Sequence, residues 1–246
     1  MKKVILAAVL VSFFLAAFSA QGYAEEKKDE KTHITIGIKT WINNFTSYDN
    51  DTSHSTEGSN TVVMAGPILG ITWDKYFAGV SYLKTLKDYE STYRQTNYTE
   101  KDKDDRQELD LSLGYYVHQR VGVFLGYKNV WWREDGDGVD GGVAFKEVTR
   151  YRLFGPLVGL TANYPIGQTG LTPFITGAYY WLRQIRDSNP RTIRQEGNMP
   201  AESLEVGLAY TYRSVTLTAG HKWQNMNGDN ERTSFKGPIF SINYGF

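Results

Sequence analysis

The stretch "QELDLSLGYYV", residues 107–117, changes character at every residue. Leu109, Leu111, Leu113, Tyr115 and Val117 fall on one side, and Glu108, Asp110, Ser112 and Gly114 on the other. Side chains of an extended strand point alternately to its two faces, so this period of two marks a β-strand between chemically different surroundings. A three-residue turn, "HQR" (118–120), follows, and the alternation resumes in "VGVFLGYKNV" (121–130). Farther on, "SLEVGLAYTY" (203–212) sets Leu204, Val206, Leu208, Tyr210 and Tyr212 against Ser203, Glu205, Gly207, Ala209 and Thr211. One face is large and apolar and the other small or charged. A sandwich core has the same period, but rarely so many glycines and carboxylates along one face.

Extended over the whole chain, the same reading gives ten strand-like runs: 32–43, 61–73, 77–90, 107–117, 121–133, 149–163, 171–186, 202–212, 215–225 and 235–246. No amphipathic helix separates them, which excludes βαβ architectures. Short turns at 74–75, 118–120, 164–169 and 213–214 alternate with long polar loops at 44–60, 91–106, 134–148, 187–201 and 226–234. Strict segregation of short and long connections is the pattern of a membrane-spanning, up-and-down antiparallel β-barrel. The expected fold is therefore all-β, a barrel of ten strands, with eight or twelve as the even-numbered alternatives.

The first residues, "MKKVILAAVLVSFFLAAFSAQGYAEEKKDE", carry two lysines, an apolar run and small residues before a charged stretch. That is the pattern of a secretory signal peptide over 1–24, cleaved after Ala24 (Ala20 is the rival), leaving one domain over 25–246. After residue 24 no segment approaches the roughly 20 apolar residues of a membrane helix. Lys plus Arg equals Asp plus Glu at 27 each, so no basic field argues for nucleic acid. Cysteine is absent, which excludes disulfides and thiolate metal sites.

An export signal, ten alternating strands and a final "INYGF" ending on Phe246 resemble the Gram-negative outer-membrane β-barrels. The resemblance covers the chain from residue 25 onward without selecting a subfamily. It implies an outer-membrane location, outer-membrane lipids and lipopolysaccharide as neighbours, and insertion by the barrel assembly machinery through the last strand and Phe246.

Three Gly-Pro pairs interrupt apolar strands: Gly66-Pro67, Gly155-Pro156 and Gly237-Pro238. Proline has no N–H for a ladder and is normally confined to edges, strand starts or bulges. Each pair lies seven or eight residues before a short turn or the last residue, on a strand running inward from outside. That sets all three near one height, ~20 Å above the inner end at ~3.3 Å per residue, close to the upper edge of the apolar band. They read as structural rim devices, with a bulge or water relieving the lost bond.

Turn lengths fix the register of two hairpins. Paired positions sum to 238 across 118–120 and to 427 across 213–214, which sets inward Asp110 against Lys128 and inward Glu205 against Lys222. Lys39, Glu108 and Arg152 extend the set. Eight-stranded barrels are just filled by side chains and water-filled porins need about sixteen strands, so ten strands with internal ion pairs predict a mostly plugged lumen.

Site chemistry is sparse. His54, in "DNDTSHSTEG", is the one histidine expected on the outside, and no catalytic constellation forms around it. A non-enzyme with neither cofactor nor metal is expected, with a rim hydrolase or acyl transferase as the alternative. Asp135, Asp137 and Asp140 alternate with glycines as calcium ligands do, but lack the closing glutamate of an EF-hand and read as a solvated loop. Arg133, Arg183 and Arg186, beside aromatics, are candidates for lipopolysaccharide phosphates. The functional expectation is a structural or surface-interaction role through long outer loops toward an unknown ligand, with a narrow channel as the runner-up.

Overall fold

The computed structural model describes residues 32–49, 55–56, 61–87, 89–95, 98–189, 193–228 and 231–246. The expected signal peptide and His54 lie outside them. The wall strands are β1 (His33–Asp49), β3 (Thr61–Trp73), β4 (Tyr76–Thr85), β6 (Tyr98–His118), β7 (Val121–Asp140), β8 (Val143–Asn163), β9 (Leu171–Asn189), β10 (Ile193–Tyr212), β11 (Val215–Asn227) and β12 (Glu231–Gly245). Each pairs antiparallel with its neighbours in chain order, and β12 returns to β1, closing a ten-stranded barrel. Two short strands, β2 (Ser55–Thr56) and β5 (Tyr89–Gln95), add to β1 and β6 beyond the wall. Closure satisfies every strand edge, which is what lets a sheet cross a bilayer.

The two computed hairpin registers appear in the sheet. Asp110 pairs with Lys128 and Glu205 with Lys222, and a bulge between Tyr116 and His118 is confined to the turn end of β6–β7. Two-residue turns at Asp74-Lys75 and Arg213-Ser214 open on residues with φ of 51° and 54°.

Segments expected as loops are mostly strand. Residues 98–106 belong to β6, and 134–140 and 143–148 are the end of β7 and start of β8, joined by Gly141-Gly142 with φ of 55° and 86°. Both φ values are positive, as a two-residue hairpin of this twist requires. Hydropathy could not show these extensions because few of their residues are apolar. The alternation is in the sign of charge: Lys101 and Lys103 point out, and Asp102 and Asp104 point in.

Along each strand the faces exchange character. In β8 the outward residues run from Leu160, Val158 and Pro156 through Phe154 to exposed Arg152 and Arg150, while Leu157 and Leu153 are buried inward. Near the short turns the barrel is apolar outside, and inside it mixes small and polar residues with the rings of Phe77, Tyr116, Phe124 and Phe174. Toward the long hairpins it is charged outside and apolar inside, as a water-soluble β domain is. The buried apolar cluster accordingly fills the upper lumen: Trp41, Phe45, Val62, Met64, Trp132 and Phe235 are among its members.

The Gly-Pro pairs follow one geometry. β3 pairs with β4 through Ala65↔Lys84 and again from Ile68↔Ser81 without a change of register, so the ladder skips Gly66 and Pro67. The same skip falls at Gly155-Pro156 between β8 and β9, and at Gly237-Pro238 between β12 and β1. No register shift accompanies them, so the expected bulge is absent. On the other side of each proline the pairing is unbroken. A methyl group at Gly66, Gly155 or Gly237 would run into the carbonyl of Tyr82, Trp181 or Ile42, the residue that faces the proline. The glycine is needed because that oxygen sits over it.

Candidate functional site: a charged belt inside the lumen

The inward parity of five strands, β1, β6, β7, β10 and β11, brings a set of ionised side chains to one level of the lumen. Lys128, completely buried, donates to Glu108 Oε2 at 2.6 Å and to Asp110 at 3.0 Å. Arg106 forms an ion pair with the other oxygen of Glu108, and its guanidinium lies 3.6 Å over the Phe235 ring. Lys39 reaches across from β1 to Glu205 Oε2 at 2.7 Å. Lys222 stands opposite Glu205 in register, but its ammonium lies over the Trp41 ring at 4.3 Å and Glu205 is taken by Lys39. The register reasoning located both pairs of positions. It could not tell which of two lysines the Glu205 carboxylate would choose, because Lys39 comes from a strand three places away around the barrel.

Burying ions singly costs several kcal/mol each, and that cost is offset only when partners fill their hydrogen-bonding positions. Here each carboxylate has a cation within ion-pair distance. Arg106, expected in a loop, is a central member of the belt. The readable signal was its parity, since 106, 108 and 110 are consecutive inward positions of one strand. Arg152 is exposed on the outer wall, lies 5.1 Å from the Phe154 ring and takes no part.

Above the belt the lumen is packed with the apolar cluster, with rings in contact: Phe45 and Trp132 at 5.3 Å, Phe45 and Phe235 at 5.2 Å. Higher still, inward Asp102, Asp104 and Glu134 line an acidic mouth. The Trp132 indole donates to Asp104 at 2.8 Å, and the Tyr151 hydroxyl donates to Glu134 at 3.0 Å. Glu134 stands in the projecting part of β7, beyond the apolar belt. Burial first, and then the Asp104 carboxylate opposite it, push its carboxyl well above the ordinary carboxylate range. Among the described residues no group of three or more metal-binding side chains is arranged to hold an ion. Of the acidic-loop residues, Asp135 accepts from Arg133 and Asp137 pairs with Lys146 at 3.1 Å.

On the outer wall, Tyr127, Trp131, Tyr179 and Trp181 are exposed, with Arg133, Arg150, Arg152 and Arg183 above or beside them. Arg186, grouped with them from sequence, instead turns inward, 5.4 Å from the Tyr151 ring. At the strand end, the Phe246 N–H donates to the Ile34 carbonyl at 2.9 Å, and the exposed ring stacks edge-on with Tyr244.

No protein-family model matches this chain, and no curated protein sequence does either. Among solved structures it is similar to the outer membrane protease OmpT from Escherichia coli, with 11% identity, a TM-score of 0.58, and coverage of 91% of this chain and 99% of that one. Weaker likenesses include the β domain of the Bordetella autotransporter BrkA (9% identity, TM-score 0.44, 88% and 99% covered). Another is the translocator domain of the autotransporter NalP from Neisseria meningitidis (12% identity, TM-score 0.41, 99% and 97% covered). A closed antiparallel barrel of ten strands with an apolar outer belt is the architecture of outer-membrane β-barrel proteins, and this chain has that fold.

Proposed function

We propose that this protein is a sealed outer-membrane barrel, a non-conducting stalk that carries stiff β-hairpins beyond the membrane for a structural or surface-binding role. The observation that supports it is the filling of the lumen: a belt of paired charges topped by a packed apolar cluster. Water and ions need a continuous polar path, and buried Trp41, Met64, Leu153 and Phe235 leave the upper lumen apolar. The hairpins formed by β5 and β6, by β7 and β8, and by β9 and β10 offer the ligand-binding edges. In this reading Arg133, Arg150, Arg152 and Arg183 meet the phosphates of lipopolysaccharide, the apolar belt meets the lipid chains, and β12 with Phe246 presents the barrel to the assembly machinery.

Planar-bilayer recording tests the central point. The refolded protein should be silent under voltage, whereas steady unitary conductance would replace the stalk with the narrow channel. The hairpin role is tested by shortening β7 and β8 to a direct turn between Arg133 and Arg150. The barrel should still fold, and whatever cell-surface binding the intact protein has should be lost. A rim enzyme acting through His54 predicts instead that His54→Ala abolishes a hydrolytic activity of intact cells.

A further inference from the structure

Solvent reaches the underside of the charged belt but not its upper part. Side-chain exposure is 28% at Asp110, 20% at Glu205 and 19% at Lys39, against 0% at Lys128 and 1% at Glu108 and Arg106. The space responsible lies below the belt, toward the short turns. The next inward residues below Lys39, Asp110, Lys128, Glu205 and Lys222 are Gly37, Ser112, Gly126, Gly207 and Gly220, so none of these strands sends a long side chain beneath the belt. Ser112, Thr218 and Ser241 are half-buried there, and Thr211 at the inner end is exposed. Above the belt Val62, Trp132, Leu153 and Phe235 are buried. The lower lumen is therefore a blind vestibule, entered from the inner end and roofed by Asp110, Glu205 and Lys39.

The roof contains a choice of partners. Glu205 is held by Lys39 at 2.7 Å, yet its cross-strand neighbour in register is Lys222. Directly paired positions have Cβ atoms ~4.5–5.5 Å apart, so a glutamate and a lysine placed there can meet by a change of rotamer alone. Lys222 has no carboxylate within ion-pair distance among the described residues, and its ammonium rests on the face of Trp41.

Charge says what is missing. Four cations, Lys39, Arg106, Lys128 and Lys222, stand against three carboxylates, Glu108, Asp110 and Glu205. Asp104, one inward step above Arg106, is held by Trp132 and faces Glu134, so it belongs to the acidic mouth. Buried ions are costly without a partner, and one more carboxylate would give every cation of the belt its own. Of the four, Lys39 is the most open to the vestibule. The Phe174 ring lies on Gly207, one inward step below Glu205: a methyl group at Gly207 would stand 2.9 Å from it. An apolar group carried on an anion at this pair has that ring to pack on.

We propose that the roof of the vestibule is a binding site for one small monocarboxylate that enters from the inner end. The ligand carboxylate takes the place of Glu205 on Lys39, Glu205 turns to Lys222, and the short apolar part of the ligand packs on Phe174. Binding then sets four carboxylates against the four cations. The apolar cluster above stops the ligand at the belt, so the site loads and empties from below, independently of the outer hairpins.

Butyrate is the probe and butyramide its uncharged counterpart, each titrated calorimetrically into the protein refolded in detergent. Butyrate should saturate one site, and butyramide should give no binding heat. Lys39→Met should abolish binding and still fold, since Glu205 keeps Lys222 in register. Lys222→Met should weaken binding by about tenfold or more, because a displaced Glu205 then has no cation to meet. Access to the vestibule is read separately. The chain has no cysteine, so Thr218→Cys gives a water-soluble thiol reagent a single target, and butyrate should slow the reaction. Absence of a saturable butyrate heat overturns the proposal, as does equal heat from butyramide or undiminished binding in Lys39→Met. If Lys39→Met does not fold, Thr218→Cys decides: a thiol that stays unreactive in the folded barrel, or reacts at a rate butyrate leaves unchanged, overturns it.

Discussion

The lower and upper halves of the barrel use the same ten strands and the same alternation, yet they are built on opposite polarities. In the lower half Ile38, Leu69, Leu113, Leu125 and Leu208 are exposed outward, while Thr35, Ser81, Ser112, Thr161, Thr176 and Thr218 face the lumen half-buried. In the upper half Lys103, Arg133, Arg150 and Lys236 are exposed outward, while Val62, Trp132, Leu153, Met199 and Phe235 are buried inward. Hydrophobic burial drives both, with a different apolar phase: lipid takes up the outer face below, and the lumen takes up the inner face above. The charged belt lies at the changeover, where neither face is wholly apolar. Two of the Gly-Pro pairs mark the same level on the outside, with Arg152 and Lys236 the first charged outward residues above Pro156 and Pro238.

Substitutions that exploit the opposite polarities should separate the halves. The largest effects belong to the upper interior and the belt. Phe235→Ala removes a ring packed on Trp41, Phe45 and Arg106 and should destabilise by ~3–5 kcal/mol, as core aromatic truncations do. Lys128→Met leaves Asp110 without its cation and Glu108 with Arg106 alone, and should cost a similar ~3–5 kcal/mol. Adding Glu108→Gln to it should recover part of that loss, a coupling that a double-mutant cycle of unfolding in lipid would read. Additive effects would mean the belt is well hydrated, and would weaken the sealed barrel.

Next in size is the lower outer wall. Leu111→Arg should cost ~2–4 kcal/mol if the site lies near the bilayer midplane. Lys103→Leu, four inward-outward steps up the same strand, should change stability by no more than ~0.5 kcal/mol. Equal penalties at the two positions would break the division into a lipid-facing and a water-facing half.

A pH series on the acidic mouth should show a smaller effect. The Glu134 carboxyl is raised in the folded state, so its protonated form favours folding. That contribution is fully present below the ordinary carboxylate range and is lost as pH rises through the folded value. Glu134→Gln should therefore be more stable than wild type near neutrality and indistinguishable from it in acid. The smallest expected change is Thr218→Ala in the lower lumen, where a half-buried polar position should move stability by less than ~0.5 kcal/mol.

The sequence by itself determined the strand period, the turn positions, the hairpin registers and hence the closed antiparallel barrel, because period two and turn length are local quantities. "QELDLSLGYYV" and its hairpin partner carry enough of both to place Asp110 against Lys128. Only the tertiary structure decided how high the strands continue, since "EKDKD" (100–104) alternates in charge sign and not in hydropathy. Closure alone brought Lys39 to Glu205 and Lys222 to Trp41. Side chains that meet across a lumen are separated by most of the chain and joined by no local pattern, so their partners follow from the curvature of the whole sheet.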